Sequence, residues 1–342
     1  MKKHVNIPIF IPHMGCPNQC VFCNQRKITG INKFSLENVR LQIDTALATV
    51  SSETEAEIAF FGGSFTGIDR SLMLELLKIA YSYVAEGRVT SIRCSTRPDY
   101  ISDEILDILS QYKVTVIELG LQSADDRVLS ATKRGHNFMC EINACKKIVD
   151  RGFDLVGQMM IGLPGSTPET EEETANFIIK SGAVAARIYP TVVFRDTELC
   201  EMAISGIYKP ITEEEAVIRS ARVLRMFRDA GVNVIRIGLC ATENLTDEAS
   251  YYSGPNHPAL GELVENEFYF NKIVEVLHKC NLKPGSFLNV AVSPGSLSKA
   301  IGQKKRNKLR LISLYGFSDI RFMEDSRISE FDVEVISGER KY

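Results

Sequence analysis

Short apolar runs alternate with amphipathic stretches through the first two thirds of the chain. The runs at 7–11, 56–61, 90–95, 114–119, 154–161 and 185–190 are brief and rich in β-branched and aromatic residues, as in Ala56-Glu57-Ile58-Ala59-Phe60-Phe61. They read as strands. Between them apolar residues recur at helical spacing. Val39, Ile43, Leu47 and Val50 form one such face, behind a cap expected at Ser35. Leu72, Leu76, Ile79 and Val84 form a second, and Ile105 with Ile108 and Leu109 a third. Helices are also expected near 138–151, 168–181 and 212–230, the last carrying Ala221, Leu224, Met226 and Phe227.

Strand alternating with helix predicts an α/β fold with a parallel sheet. Six such units are too few to close an eight-stranded barrel and suit a partial (β/α)6 barrel. In such barrels the chemistry gathers on loops at the C-terminal ends of strands. Beyond about residue 232 the alternation loosens. Val232-Asn233-Val234-Ile235-Arg236-Ile237 can form a further strand, a helical stretch runs from about His257 to Lys279, and short strands are expected at 287–292, 319–323 and 331–336. The expected division is a barrel over 1–231 and a small α+β C-terminal extension over 232–342.

Composition narrows the class only a little. The chain has 342 residues and a formal charge of −3, so its net charge announces neither a nucleic-acid nor a membrane partner. The start, Met1-Lys2-Lys3-His4, lacks the apolar run of a signal peptide, and no stretch approaches the roughly 18 apolar residues of a membrane span. Nine cysteines form no regular framework, which fits a reducing, cytoplasmic setting. Cys94, Cys140, Cys145, Cys200, Cys240 and Cys280 lie in apolar segments, where a buried packing role is expected.

The other three are different. Cys16-Pro17-Asn18-Gln19-Cys20-Val21-Phe22-Cys23 spaces its thiols as C-x3-C-x2-C, directly after the first strand. Closed zinc and [4Fe-4S] sites take four protein ligands, and no fourth cysteine stands near. One metal position would then be left to a ligand that is not protein. A zinc knuckle or three ordinary thiols are the plainer readings.

This spacing, with an aromatic before the last cysteine, resembles the signature of radical S-adenosylmethionine (SAM) enzymes. In that superfamily the cysteines hold a [4Fe-4S] cluster whose open iron is chelated by the methionine end of SAM. The reduced cluster cleaves SAM to methionine and a 5′-deoxyadenosyl radical, which abstracts hydrogen from substrate. The resemblance implies metal ligands Cys16, Cys20 and Cys23. Phe61-Gly62-Gly63-Ser64-Phe65-Thr66-Gly67 follows the second strand and resembles the glycine-rich stretch that receives the amino group of SAM. Ser64 stands where that pattern often has an acid.

Ser95-Thr96-Arg97-Pro98-Asp99-Tyr100, Glu118-Leu119-Gly120-Leu121-Gln122-Ser123 and Lys133-Arg134-Gly135-His136 resemble segments of the Elongator catalytic subunit and, more distantly, of oxygen-independent coproporphyrinogen oxidase. On that resemblance Thr96 or Ser95 bonds ribose hydroxyls, and Gln122 bonds the ribose or the methionine end. Arg134 pairs with the SAM carboxylate, and Gln158 faces SAM. Arg97 reads equally as a salt bridge at the barrel mouth, and His136 as a structural group. Met159 and Met160 pack core or adenine, and Arg187 and Tyr189 face substrate or neighbouring strands.

The resemblance covers roughly 5–240. It implies a flavodoxin- or ferredoxin-like electron donor, and tRNA as a possible substrate. Lys299, Lys304, Lys305, Arg306, Lys308 and Arg310 can track a phosphate backbone or form a solvated helix face. About 100 residues follow the barrel, which is expected to be too short for the acetyltransferase domain of the Elongator subunit as well as the extension. Two further readings stand beside an RNA-modifying enzyme. One is a radical-SAM enzyme for a small or porphyrin-like molecule, the other a non-catalytic iron–sulfur or zinc protein.

Overall fold

The computed structural model describes residues 4–11, 14–16, 20–24, 34–51, 53–239, 249–280 and 283–338. All six expected strands are present: β1 (His4–Phe10), β2 (Glu55–Phe61), β3 (Ser91–Thr96), β4 (Val114–Gln122), β5 (Asp154–Ile161) and β6 (Ala185–Pro190). A seventh, β8 (Asn233–Ile237), pairs in parallel with β6 and carries the sheet past the expected boundary at 231. The order is β1-β2-β3-β4-β5-β6-β8, every neighbour parallel. Strands added in sequence to one growing edge, each through a right-handed crossover, put their helices on one face and leave the other face open. The sheet is a partial barrel. Inward residues of its first and last strands, Asn6 and Arg236, line the same cavity.

The strand period of two explains the two faces. Ile7, Ile9, Ile58, Phe60, Ile92, Cys94, Ile117, Leu119, Ala186 and Ile188 are buried under the helices. Residues between them turn inward, and many are polar: Asn6, Arg93, Glu118, Gln158, Arg187 and Tyr189 line the lumen together with Pro8, Phe10 and Phe61. The helices are α1 (Asn38–Leu47), α2 (Arg70–Ala85), α3 (Asp103–Gln111), α4 (Asp126–Ala131), α5 (Phe138–Asp150), α6 (Pro168–Lys180), α7 (Glu198–Ile204) and α8 (Glu213–Asp229). Ser35 does not cap the first of them. The helix starts at Asn38, and the Ser35 carbonyl instead accepts from the Asn38 amide across a turn.

The extension packs on the barrel through α9 (Leu260–His278), which lies against α8. Arg228 of α8 pairs with Glu265 at 2.6 Å and stacks on the rings of Phe268 and Phe331, 4.5 and 3.9 Å from their centroids. A three-stranded sheet ordered β11 (Asp319–Glu324), β10 (Phe287–Val292), β12 (Val333–Gly338) completes it. A short pair, β7 (Val193–Phe194) with β9 (Tyr251–Ser253), has no counterpart among the expected strands. No helix among the described residues is long and apolar enough to cross a membrane.

Candidate active site

The C-terminal ends of the strands open on a cavity of about 1080 Å³. Its wall includes all three motif cysteines together with Gly62, Gly63, Ser64, Thr96, Gln122, Arg134 and Gln158. Residues spread from 16 to 158 in sequence thus meet around one space, because most sit on or after the C-terminal ends of strands of one sheet, and Arg134 follows the short helix Asp126–Ala131. The volume lies just above the ~300–1,000 Å³ of small-molecule sites and leaves room for more than one ligand.

The cysteine loop is seated on the glycine loop, backbone against backbone. The Ile11 amide donates to the Phe61 carbonyl at 2.7 Å, and the Ser64 amide to the Met14 carbonyl at 3.2 Å. A Cβ at Gly63 would run into the carbonyl oxygens of Met14 and Ile11, and one at Gly15 into that of Ser64. Only residues without a side chain allow this approach. The loop's other side is held at Val21, between the second and third cysteines. The Val21 amide donates to the Thr132 carbonyl at 3.2 Å, and its carbonyl accepts from the Leu199 amide at 2.9 Å. Its side chain packs with Val193, Leu199, Cys200 and Tyr208.

Around the sulfurs the chemistry is that of thiolate binding. Cys16 Sγ lies 3.2 Å from Ser64 Oγ, and Cys20 Sγ lies 3.2 Å from Arg134 Nη1 and 3.7 Å from Arg97 Nη1. Arg134 Nη2 donates to the Gly120 carbonyl. Among the described residues no three His, Cys, Asp or Glu side chains close on a single ion. The three thiols on one cavity wall are soft donors of the kind that iron–sulfur clusters and zinc both take.

Behind this wall Arg97 is 4% exposed and forks onto Asp99, its Nε and Nη2 at 2.9 and 3.0 Å from the two carboxylate oxygens. Burial works against its charge, but the Asp99 contact outweighs that and raises its pKa. The sequence expectation of a salt bridge is met, and the contact with Cys20 is additional. His136 bonds Glu141 at 3.0 Å. Burial, then the positive charge of Arg134, pushes His136 down to about 4, while burial lifts Glu141 well above the usual carboxylate range.

Of the remaining candidates, Gln122 lines the cavity at φ +73°, and its buried Oε1 has no hydrogen-bond partner among the described residues. A buried acceptor left unpaired costs about 1–3 kcal/mol. Thr96 is engaged by Thr66, hydroxyl to hydroxyl at 2.6 Å. Gln158 donates to Glu118 at 3.0 Å. Glu118 heads a set of groups that pattern reading missed. Arg93 bridges Glu57 and Glu118, and Arg187 Nε lies 2.8 Å from the other Glu118 oxygen. Alternate charges on neighbouring strands were the available signal. Arg187 and Tyr189 both line the cavity, whereas Met159 is buried in the core.

Cys94, Cys145 and Cys200 are buried as expected, with burial pushing Cys145 up to about 12. Cys140 and Cys280 are only partly buried, and Cys240 lies outside the described residues. The basic segment spans α10 (Leu297–Ile301) and α11 (Arg306–Tyr315), and half of it is neutralised locally. Lys299 pairs with Glu265, Lys308 with Asp319 and Arg310 with Glu267.

Residues 10–178 match the family model of the radical SAM superfamily, and 184–269 that of the radical SAM C-terminal domain. A tRNA uridine(34) acetyltransferase of Methanocaldococcus jannaschii is 33% identical over 157 residues, 45% of this chain and 29% of that protein. Elongator complex protein 3 of Saccharomyces cerevisiae is 33% identical over 258 residues, 63% of this chain and 46% of that one. This chain therefore spans less than half the length of either relative. The structure of archaeal Methanocaldococcus infernus Elp3 with an N-terminal deletion superposes with a TM-score of 0.64 at 21% identity, covering 83% of this chain and 69% of that one, a likeness of fold. Two matched family models running from the cysteine loop into the extension, over a parallel partial barrel, identify the chain as an enzyme of the radical SAM superfamily.

Proposed function

We propose that the chain binds a [4Fe-4S] cluster through Cys16, Cys20 and Cys23 and cleaves SAM reductively, with tRNA as the substrate class. The observation that carries the reading is the convergence of the three cysteines and the glycine loop on one cavity. When bound, the reduced cluster supplies the electron that splits SAM into methionine and a 5′-deoxyadenosyl radical, an external donor such as flavodoxin or ferredoxin having reduced it.

The chain's own residues bind and orient. Gly62 and Gly63 bring backbone against the methionine end beside Ser64. Arg134, held by Nη1 at Cys20 and by Nη2 at the Gly120 carbonyl, would pair with the carboxylate by exchanging one of these contacts for it. The unpartnered oxygen of Gln122 accepts from a ribose hydroxyl or from the amino group. Ser95 and Thr96 border the same wall, and Gln158 joins it to the charged lumen. The paired charges of Arg93, Glu118 and Arg187 stand in the lumen beside the rings of Phe10 and Phe61, so the wall offers charged and apolar contacts together.

The tRNA class is supported by the relatives that carry that substrate in their names. Lys304, Lys305 and Arg306 are the exposed part of the basic segment. A small polar molecule is the second reading. It is favoured by the neutralisation of Lys299, Lys308 and Arg310 by the chain's own acids. The test is formation of 5′-deoxyadenosine by protein reconstituted anaerobically with iron and sulfide and given dithionite and SAM, with and without bulk tRNA. Product that requires the cysteines and rises with tRNA is expected. Product indifferent to tRNA would move the substrate to small molecules, and none from a loaded cluster would remove the reductive-cleavage reading.

A further inference from the structure

Cys20 differs from the other two motif cysteines in what surrounds its sulfur. It is buried, while Cys16 is exposed and Cys23 partly so. Two guanidinium groups converge on it, whereas Cys16 meets the neutral hydroxyl of Ser64. One of the two, Arg97, is immobilised well beyond what an ion pair requires. Its Nε and Nη2 are fixed on Asp99, and Nη2 also donates to the Arg134 carbonyl and stands 3.4 Å from His136 Nδ1. That leaves Nη1 directed at Cys20. Burying a guanidinium carries a desolvation penalty that an exposed Arg–Asp pair would avoid. The position at the sulfur is what the burial secures.

We propose that Arg97 is a positioning residue that sets the reduction potential of the cluster, by holding a fixed positive charge and an N–H donor at the Cys20 sulfur. The inference rests on the cluster reading given above. One-electron reduction adds negative charge to the cluster and its thiolates. A cation and a donor at one thiolate favour that more negative state and raise the potential. Asp99 partly offsets the cation from behind. Removing the charge of Arg97 therefore lowers the potential, and neutralising Asp99 raises it. A merely structural Arg97–Asp99 pair would not give shifts of opposite sign.

The test is an EPR-monitored redox titration of the full-length, anaerobically reconstituted chain without SAM, using dithionite as reductant. Parent, R97Q and D99N proteins are compared, with iron and sulfide content measured for each. For R97Q the reduced-to-oxidised ratio at the parent midpoint is expected to fall roughly tenfold, about 59 mV for a one-electron couple. For D99N it is expected to rise. Variants loaded to the parent's content and sharing its midpoint would overturn the inference. Should R97Q not load, D99N decides, and a midpoint that stays or falls overturns it. A parent chain that holds no more iron than its Cys16/Cys20/Cys23→Ala variant overturns the cluster reading itself, and this inference with it.

Discussion

His136 and Glu141 face each other behind the cysteine wall, their side chains 2% and 0% exposed and 3.0 Å apart. Burial first, then Arg134, moves His136 from 6.5 to about 4, and burial moves Glu141 upward from 4.5. Above about pH 4.5 the raised Glu141 makes the folded chain hold a proton that the unfolded chain loses, while up to 6.5 the lowered His136 makes it lack one that the unfolded chain holds. The two contributions to the pH dependence of stability therefore oppose each other. Glu141→Gln removes the compensating site. The unfolded chain then binds more protons than the folded one, so stability rises with pH by roughly 1.4 kcal/mol per unit between about 4 and 6.5. Urea denaturation of the cluster-free chain across that window measures it. A slope no steeper in the variant than in the parent would sink the paired-proton account. His136 was readable as a structural group, but Glu141 was not, because nothing local marks a buried carboxyl on an amphipathic helix. Gln122 was readable as a polar group at a strand end, while its positive φ and unpaired oxygen were not.

Among the elements, the cysteine and glycine loops behave as one unit. Gly63→Ala drives a methyl into the Met14 and Ile11 carbonyls, backbone atoms that yield only if the cysteine loop moves. The expected result is loss of cluster loading and roughly 1–3 kcal/mol of stability. Gly87→Ala, where φ is +70° but the added methyl meets nothing within 4 Å, costs backbone strain and keeps its iron. Iron and sulfide content per chain distinguishes the two, and equal loading would remove the seating role of Gly63. The strands were legible because their buried and polar faces alternate, and the long helices because their apolar stripes are sustained. The helix Glu198–Ile204 was missed. It is short, and its Leu199 and Cys200 are buried in a cluster with Val21 of the cysteine loop, Val193 and Tyr208, residues distant in sequence. The basic segment was visible as charge, but which of its cations remain exposed depends on acids from other elements.

For the whole molecule the lumen chain Glu57–Arg93–Glu118–Arg187 ties together four strands. Glu118 is 1% exposed and accepts from Arg93, Arg187 and Gln158. Glu118→Ala leaves two guanidinium groups, each 11% exposed, without their shared carboxylate. Stranding buried charge in this way costs roughly 3–5 kcal/mol. Chemical denaturation should show that loss, and a cost within 1 kcal/mol would mean that water replaces the carboxylate.

The sequence by itself determined the class of fold, the spacing of the three cysteines and the loops that carry polar residues at strand ends. Each is written in residues a few positions apart, where periodicity, turn chemistry and ligand spacing act. Tertiary structure alone decided the seventh strand's place in the sheet, the two arginines at the Cys20 sulfur and the closed charge network of the lumen. Those contacts join residues from 25 to 114 positions apart. Their partners are chosen by which strands lie side by side and which faces are dry, and that is settled only when the sheet closes around its cavity.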